Sequence, residues 1–154
     1  FFISLDKESF YDTKGLEGQT LKDVKLDDFD KKKLITEKDF KKNNFTLINF
    51  WASWCAPCKL EHPILMKLSK TKNLVILGIN FKDKESQAKT FLKELGDPYD
   101  LLAKDKYGKQ SVGFGVYGIP ESILINKDLM IIQKFVGPLT FDDYNNIIKI
   151  IEQL

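Results

Sequence analysis

Five residues constrain this chain more than any others: Trp54-Cys55-Ala56-Pro57-Cys58. They follow the apolar run Leu47-Ile48-Asn49-Phe50-Trp51 and open a segment of helical spacing. Cys55 and Cys58 are the two cysteines of the chain. Two thiols separated by two residues, at a strand-to-helix junction, form a dithiol that can close to a disulfide and reopen. A helix starting near Ala56 leaves unpaired N–H groups and the positive end of its dipole beside Cys55. Both favour a thiolate, so Cys55 is expected to titrate below about 8.5 and to be the attacking nucleophile. Pro57 suits a first helical turn, where its missing N–H costs nothing. Cys58, half a turn further in, is expected to be more buried and to act second, as the resolving thiol. Zinc binding is the other chemical use of this spacing, but a zinc site normally takes four ligands. One histidine and no further cysteine are on offer. No metal or cofactor is therefore expected beyond the redox-active pair Cys55–Cys58 itself.

The 154 residues suit a single domain, with residues 1–20 as an N-terminal extension. A net charge of +2 carries no strong message about partners, and all 24 basic residues are lysine. The lack of arginine weighs against nucleic acid as a partner, since base and phosphate contacts usually lean on its bidentate fork. No run approaches the eighteen or so apolar residues of a membrane span. The chain opens on Phe1-Phe2-Ile3 without a methionine. It is therefore expected to follow a removed signal or membrane anchor, with membrane contact only through that segment.

In chain order, residues 1–18 show no clean period. Residues 21–27 and 33–36 read as short strands joined by the turn Asp27-Asp28-Phe29-Asp30. Lys31, Lys32 and Lys33 read as a solvated edge. Thr36 with Asp39 three residues on resembles a capping box, opening a short helix through about residue 42. Residues 45–51 lack surface alternation, as expected of a central strand covered on both faces. A helix over about 56–70 is predicted to bury Leu60, Ile64, Leu65 and Leu68, with Pro63 kinking or breaking it. A second buried strand follows at 73–81, then an amphipathic helix at 85–95 ended by Gly96 and Pro98. Residues 99–103 suggest a short strand, and 106–115 a glycine-punctuated loop or short helix. Residues 122–126 and 130–137 pair across a turn at Lys127-Asp128. Thr140 and Asp143 cap a last helix that buries Tyr144, Ile147, Ile148, Ile151 and Leu154. Strands and helices alternate first, and a hairpin plus helix follow. That order matches a thioredoxin-like α/β fold, a mixed central sheet flanked by helices, with an N-terminal β-hairpin extension. The segment between Cys58 and Pro120 is longer than a minimal version of this fold needs, so an inserted αβ unit is expected at about 82–99.

A more specific resemblance rests on stretches beyond the cysteine pair. Asn49-Phe50-Trp51-Ala52-Ser53-Trp54-Cys55 is followed by Glu61-His62, then by Asn80-Phe81-Lys82-Asp83. Leu92-Lys93-Glu94-Leu95-Gly96-Asp97-Pro98-Tyr99 and Gly115-Val116-Tyr117-Gly118-Ile119-Pro120-Glu121 complete the pattern. Together they resemble the membrane-anchored thiol–disulfide oxidoreductases of cytochrome c maturation, called CcmG or DsbE, over residues 47 to about 137. The resemblance implies a periplasmic protein that reduces the haem-binding cysteines of apocytochrome c, or another disulfide-containing polypeptide. It also implies a membrane electron donor of the CcdA or DsbD type. The nearest rival is another extracytoplasmic reductant, of the ResA or TlpA kind, with a different client. A peptide-binding or chaperone module with little redox turnover is the rival of another class. A monomer is expected.

The fold resemblance implies that Pro120 is cis and faces the cysteines. The backbone of Ile119, beside Gly118, would then offer N–H and C=O groups to an extended peptide. Trp54 and Tyr117 are expected to form an apolar rim for it. General thioredoxins carry a buried aspartate on the strand before the cysteines, where this chain has Asn49, which cannot take a proton at neutral pH. Glu61, three residues past Cys58, is the first candidate to manage the Cys58 proton, and Glu121 the second. His62 points away from its neighbour Glu61 on a helix and is read as structural or surface. Trp51 is read as core, and Phe81 as core or groove floor.

Overall fold

The computed structural model describes residues 16–30 and 32–153. Among them the elements run β1 (Lys25–Asp28), β2 (Leu34–Thr36), α1 (Glu37–Phe40), β3 (Phe45–Trp51), α2 (Ala56–Leu68) and β4 (Leu74–Phe81). They continue with α3 (Glu85–Leu95), β5 (Leu101–Asp105), α4 (Lys109–Gly113), β6 (Glu121–Asn126), β7 (Ile131–Val136) and α5 (Phe141–Glu152). The seven strands form one sheet in the order β2-β1-β5-β4-β3-β6-β7. β3, β4 and β5 are parallel, while β6, β7 and the β1–β2 hairpin are antiparallel to their neighbours. This is the expected mixed sheet of a thioredoxin-like fold, with the N-terminal hairpin extending it beyond β5.

β3 lies at the centre and all seven of its residues are buried. Its alternate side chains feed two cores. Ile48 and Phe50 join Leu77, Ile79, Ile123 and Ile125 on one face, with Phe40 of α1 and Phe114, just after α4, packed on them. Phe45 and Leu47 join Leu65, Leu68, Leu124, Ile147 and Ile151 on the other, under α2 and α5. Strand alternation places Asn49 on this second face, opposite α2. A third cluster gathers Trp51, Ala52, Phe91 and Leu92 around both cysteines.

Several boundaries differ from expectation. β1 begins at Lys25 rather than residue 21, because the backbone of Leu21 is already engaged with Leu129 (2.9 Å). The capping box is present, the Thr36 N–H donating to Asp39 Oδ2 at 2.9 Å, but α1 ends at Phe40. The inserted helix α3 falls inside 82–99, whereas its strand β5 starts later, at Leu101. The break expected at Pro63 does not occur, and α2 runs through it to Leu68. Pro63 and Lys59, whose carbonyl loses its helical partner, are both exposed, so water can take the bond. Leu60 is a second correction: it is 75% exposed and lies outside the core. The inward stripe of α2 is Cys58, Glu61, His62, Leu65 and Leu68, with polar groups at the turn where Leu60 had been expected to pack. In α5, Ile147 and Ile151 are buried, and Tyr144 and Ile148 pack half-buried beside them. Leu154 and residues 1–15 lie outside the described residues.

Candidate active site

The strand-to-helix turn is built by the cysteine pair itself. Cys55 is the N-cap of α2, with extended backbone, and its Sγ accepts the Cys58 N–H at 3.2 Å. One of the unpaired donors of a helix start is thus aimed at the sulfur, where it would stabilise a thiolate. Pro57 occupies the first turn and is exposed. Cys55 and Cys58 are joined as a disulfide and both are buried.

The turn ahead of them is tied down by Asp83, which was quoted in the sequence without a role. Its carboxylate accepts the Ser53 N–H (2.7 Å), the Ser53 hydroxyl (2.8 Å), an Asn80 Nδ2 hydrogen (3.1 Å) and the Lys84 N–H (2.8 Å). Trp54 is 57% exposed, its Nε1 donating to the Lys82 carbonyl at 2.9 Å. Its indole therefore stands at the surface beside Cys55 with its polar edge already satisfied. Phe81, left open as core or groove floor, is buried, and Trp51 is core.

On the other side, the Ile119–Pro120 peptide bond is cis. Ile119 packs half-buried against the cluster that holds both cysteines. The Pro120 carbonyl accepts the Gly137 N–H at 3.0 Å, which fixes the loop to the end of β7. Gly118 is exposed and Tyr117 is 61% exposed. Trp54 and Tyr117 are thus exposed, and Ile119 packs against the cluster that holds the disulfide.

Glu61 is fully buried on the inner face of α2. Its carboxyl accepts Asn49 Nδ2–H at 2.8 Å and the Leu139 N–H at 3.0 Å. Asn49 Nδ2 also donates to Ser122 Oγ (3.0 Å), and Asn49 Oδ1 accepts the Tyr99 hydroxyl (2.8 Å). Burial pushes the Glu61 pKa up to about 7, against the opposing pull of these two donors. Such a carboxyl, one helical turn below Cys58, can take or return a proton near neutral pH.

Glu121 is buried too, but elsewhere. It pairs in register with Phe50, so it shares the face of Phe50, while Glu61 bonds to Asn49 on the opposite face. The sheet therefore separates the two candidate carboxyls. Burial raises Glu121 to about 7, and the charge of Lys134 opposes that rise. Lys134 Nζ lies 3.8 Å from Glu121 Oε2, beyond hydrogen-bond length, and donates instead to the Gly115 carbonyl at 2.9 Å. Burial in turn holds Lys134 below the usual lysine range. Lys134 and Tyr99 are partners that sequence reasoning did not single out. A lysine in a strand at the edge of a core, and a tyrosine after Gly-Asp-Pro, carry no signal of their own until the sheet brings the carboxyls to them.

His62 is buried, so of the structural and surface readings the surface one falls away. Its Nε2–H donates to the Gly96 carbonyl (2.8 Å) and its ring meets Phe91 edge-on at 5.1 Å. Burial lowers its pKa, so the neutral ring is favoured.

A thioredoxin-like sheet, a cysteine pair at the start of α2 and a cis proline whose preceding residue, Ile119, packs with those cysteines define a thiol–disulfide exchange protein. The comparisons narrow the class. The Redoxin family model matches residues 16–148. The thiol:disulfide interchange protein CycY of Rhizobium leguminosarum bv. viciae is 50% identical over 99 residues, 64% of this chain and 53% of CycY. HelX of Rhodobacter capsulatus, another thiol:disulfide interchange protein, is 39% identical over 128 residues, 83% of this chain and 72% of HelX. The chain thus spans about half the length of CycY and under three quarters of HelX. The solution structure of a thiol:disulfide interchange protein from Bacteroides sp. superposes with a TM-score of 0.72 at 25% identity, covering 88% of this chain and 90% of that one. The chain belongs to the Redoxin family and, within it, to the thiol:disulfide interchange proteins of the DsbE type.

Proposed function

We propose that this protein reduces disulfides in polypeptide clients in an oxidising compartment outside the cytoplasm, the haem-binding cysteines of apocytochrome c being the client that the sequence resemblance implies. The observation that carries this is the position of Cys55 as helix N-cap with the Cys58 N–H aimed at its sulfur.

In the reduced protein the Cys55 thiolate attacks one sulfur of the client disulfide. A mixed disulfide forms and the other client sulfur leaves as a thiolate. Cys58 then gives up its proton and attacks Cys55 Sγ. The Cys55–Cys58 disulfide forms, and the second client sulfur leaves. Two electrons have passed from the dithiol to the client, and a membrane donor of the CcdA or DsbD type returns them. Glu61 accepts the Cys58 proton, since it lies one turn further along α2 and titrates near neutrality. Glu121, at the start of β6 on the other face of the sheet, is the second candidate for that proton. Ile119 offers its backbone to the client strand beside the cysteines, with Trp54, Pro57, Gly118 and Tyr117 around it. Periplasmic localisation, with anchoring by a segment preceding this chain, belongs to the same reading.

The test is Cys58→Ser in the reduced state, mixed with an apocytochrome peptide whose two cysteines are oxidised. A covalent adduct through Cys55, reversed by dithiothreitol, is expected. If wild type reduces the peptide while the variant accumulates no adduct, the assigned order of attack is wrong. If neither protein touches the peptide, while wild type reduces unrelated disulfides and the variant forms adducts with them, the client is wrong.

A further inference from the structure

The exchange mechanism leaves two hydroxyls of the Glu61 site without a task, those of Ser122 and Tyr99, and Tyr99 is the one brought in from outside the central strands. It comes from the inserted segment between α3 and β5, 50 residues beyond Asn49 in sequence. Its path to Asn49 is prepared. Gly78 of β4 is the register partner of Asn49, and a Cβ there would sit 2.6 Å from the Tyr99 ring. The glycine clears the strand surface so the ring can lie across it. Trp51 stacks on the same ring at 5.4 Å and 21°. Ring position is thus set from two sides, and the hydroxyl ends 2.8 Å from Asn49 Oδ1.

A phenol oxygen can also accept. With the amide reversed, however, the Tyr99 O–H, ending beside buried Asn49, would lose the acceptor it has in Oδ1. This bond therefore favours one facing of the amide. With Oδ1 taken by the Tyr99 O–H, both Nδ2 hydrogens are left for Glu61 Oε2 and Ser122 Oγ. An N–H pointed at a carboxyl favours its ionised form. Turned round, the amide would offer Oδ1 to Glu61, which only the protonated acid can use as a donor. We infer that Tyr99 is a positioning residue for Glu61: its hydroxyl holds the Asn49 amide in the orientation that favours the carboxylate, and so sets the pH at which Glu61 can take a proton. The kinetic consequence rests on the proposed role of Glu61 toward Cys58.

The surroundings of Glu61 are otherwise neutral on the facing elements. β3 presents Asn49, β6 presents Ser122, and the segment after β7 presents the Leu139 N–H. The titratable groups are Tyr99 itself, with Asp97 acting on it, and Cys58 one turn up α2. His62 of the same helix faces Gly96 and Phe91 instead. Removing the Tyr99 hydroxyl therefore alters one contact and no formal charge, since burial and the neighbouring carboxyls keep that phenol protonated.

Tyr99→Phe keeps the ring, its stacking and its volume. The Glu61 carboxyl is followed by infrared difference titration, assigned by subtracting Glu61→Gln, alongside the pH profile of peptide-disulfide reduction. The Glu61 midpoint is expected to rise by about one pH unit, roughly tenfold in its protonation equilibrium. Reduction should be about fivefold slower at pH 7 and recover at alkaline pH, with the binding constant for peptide unchanged. Gly78→Ala, which keeps the hydroxyl but displaces the ring, should shift the midpoint in the same direction. An unchanged midpoint in folded Tyr99→Phe overturns the inference. A raised midpoint with an unmoved rate profile leaves the positioning role standing and overturns the role of Glu61 in the exchange.

Discussion

Leu65 and Leu60 sit five residues apart on α2 and should respond to substitution in opposite ways. Leu65 is buried between the helix and the sheet, so Leu65→Ala is expected to cost about 2–5 kcal/mol through lost burial and a cavity. Leu60 is exposed, and Leu60→Lys should fall within about 0.5 kcal/mol of wild type. Urea titration of both variants checks the pair, and a large loss from Leu60→Lys would mean that this surface is covered by a partner. Residue chemistry alone places leucine in and glutamate out, and here α2 does the reverse at adjacent positions. Glu61 can be buried because Asn49 and the Leu139 N–H, 12 and 78 residues away, supply its hydrogen bonds. Neither partner is visible as such along the chain. What was legible was the anomaly at one end: Asn49 is the one amide in a central strand whose other polar residue is Thr46, and a buried amide needs a partner.

At the level of elements, the turn before α2 depends on a neighbouring loop. Asp83 lies between β4 and α3, yet its carboxylate holds Ser53, Asn80 and Lys84. Asp83→Ala leaves these donors without their acceptor, at an expected cost of about 1–3 kcal/mol. Faster amide exchange at Ser53 should accompany it, together with a fall in the rate of client attack that exceeds any change in the second step. Normal exchange at Ser53 in that variant would show that the turn holds itself. The strands and long helices were readable because each follows a local rule. β3 is apolar on both faces, α3 has a polar start and a Gly-Asp-Pro stop, and α5 opens on a Thr-Asp capping box. The short pieces were legible in kind but not in extent, since β1, α4 and β5 owe their limits to pairing with distant strands or to glycine turns such as Gly108, whose φ is 77°. The Glu61 and Glu121 positions were legible by type and spacing. Their separation onto opposite faces was not, because it follows from the register of β6 against β3.

Two buried carboxyls with raised pKa values tax the stability of the whole molecule in a defined pH range. Glu61 and Glu121 rise to about 7 from an ordinary value of 4.5. Between those values the folded chain holds protons that the unfolded chain has released. Their contribution to stability is therefore fully present below about pH 4.5 and is lost as pH rises through about 7. His62, lowered by burial, works in the opposite sense up to its ordinary value of 6.5, and Lys134 does so toward 10.5. The slope of wild type alone thus mixes several groups, and the clean observable is a difference. Glutamine mimics the protonated acid, so Glu61→Gln should gain on wild type between pH 4 and pH 8, by about 3 kcal/mol as an upper figure. Urea unfolding of the oxidised proteins at the two pH values measures it. A stability difference that is the same at both would mean that Glu61 ionises as an ordinary carboxylate, and that Cys58 must lose its proton to another group. Glu121→Gln should show the same sign and a comparable size, since its carboxyl also rises to about 7 with the opposing Lys134 charge already in place. A carboxyl poised near neutral pH is useful to disulfide exchange for the same reason that it weakens the fold there: its charge is poorly solvated.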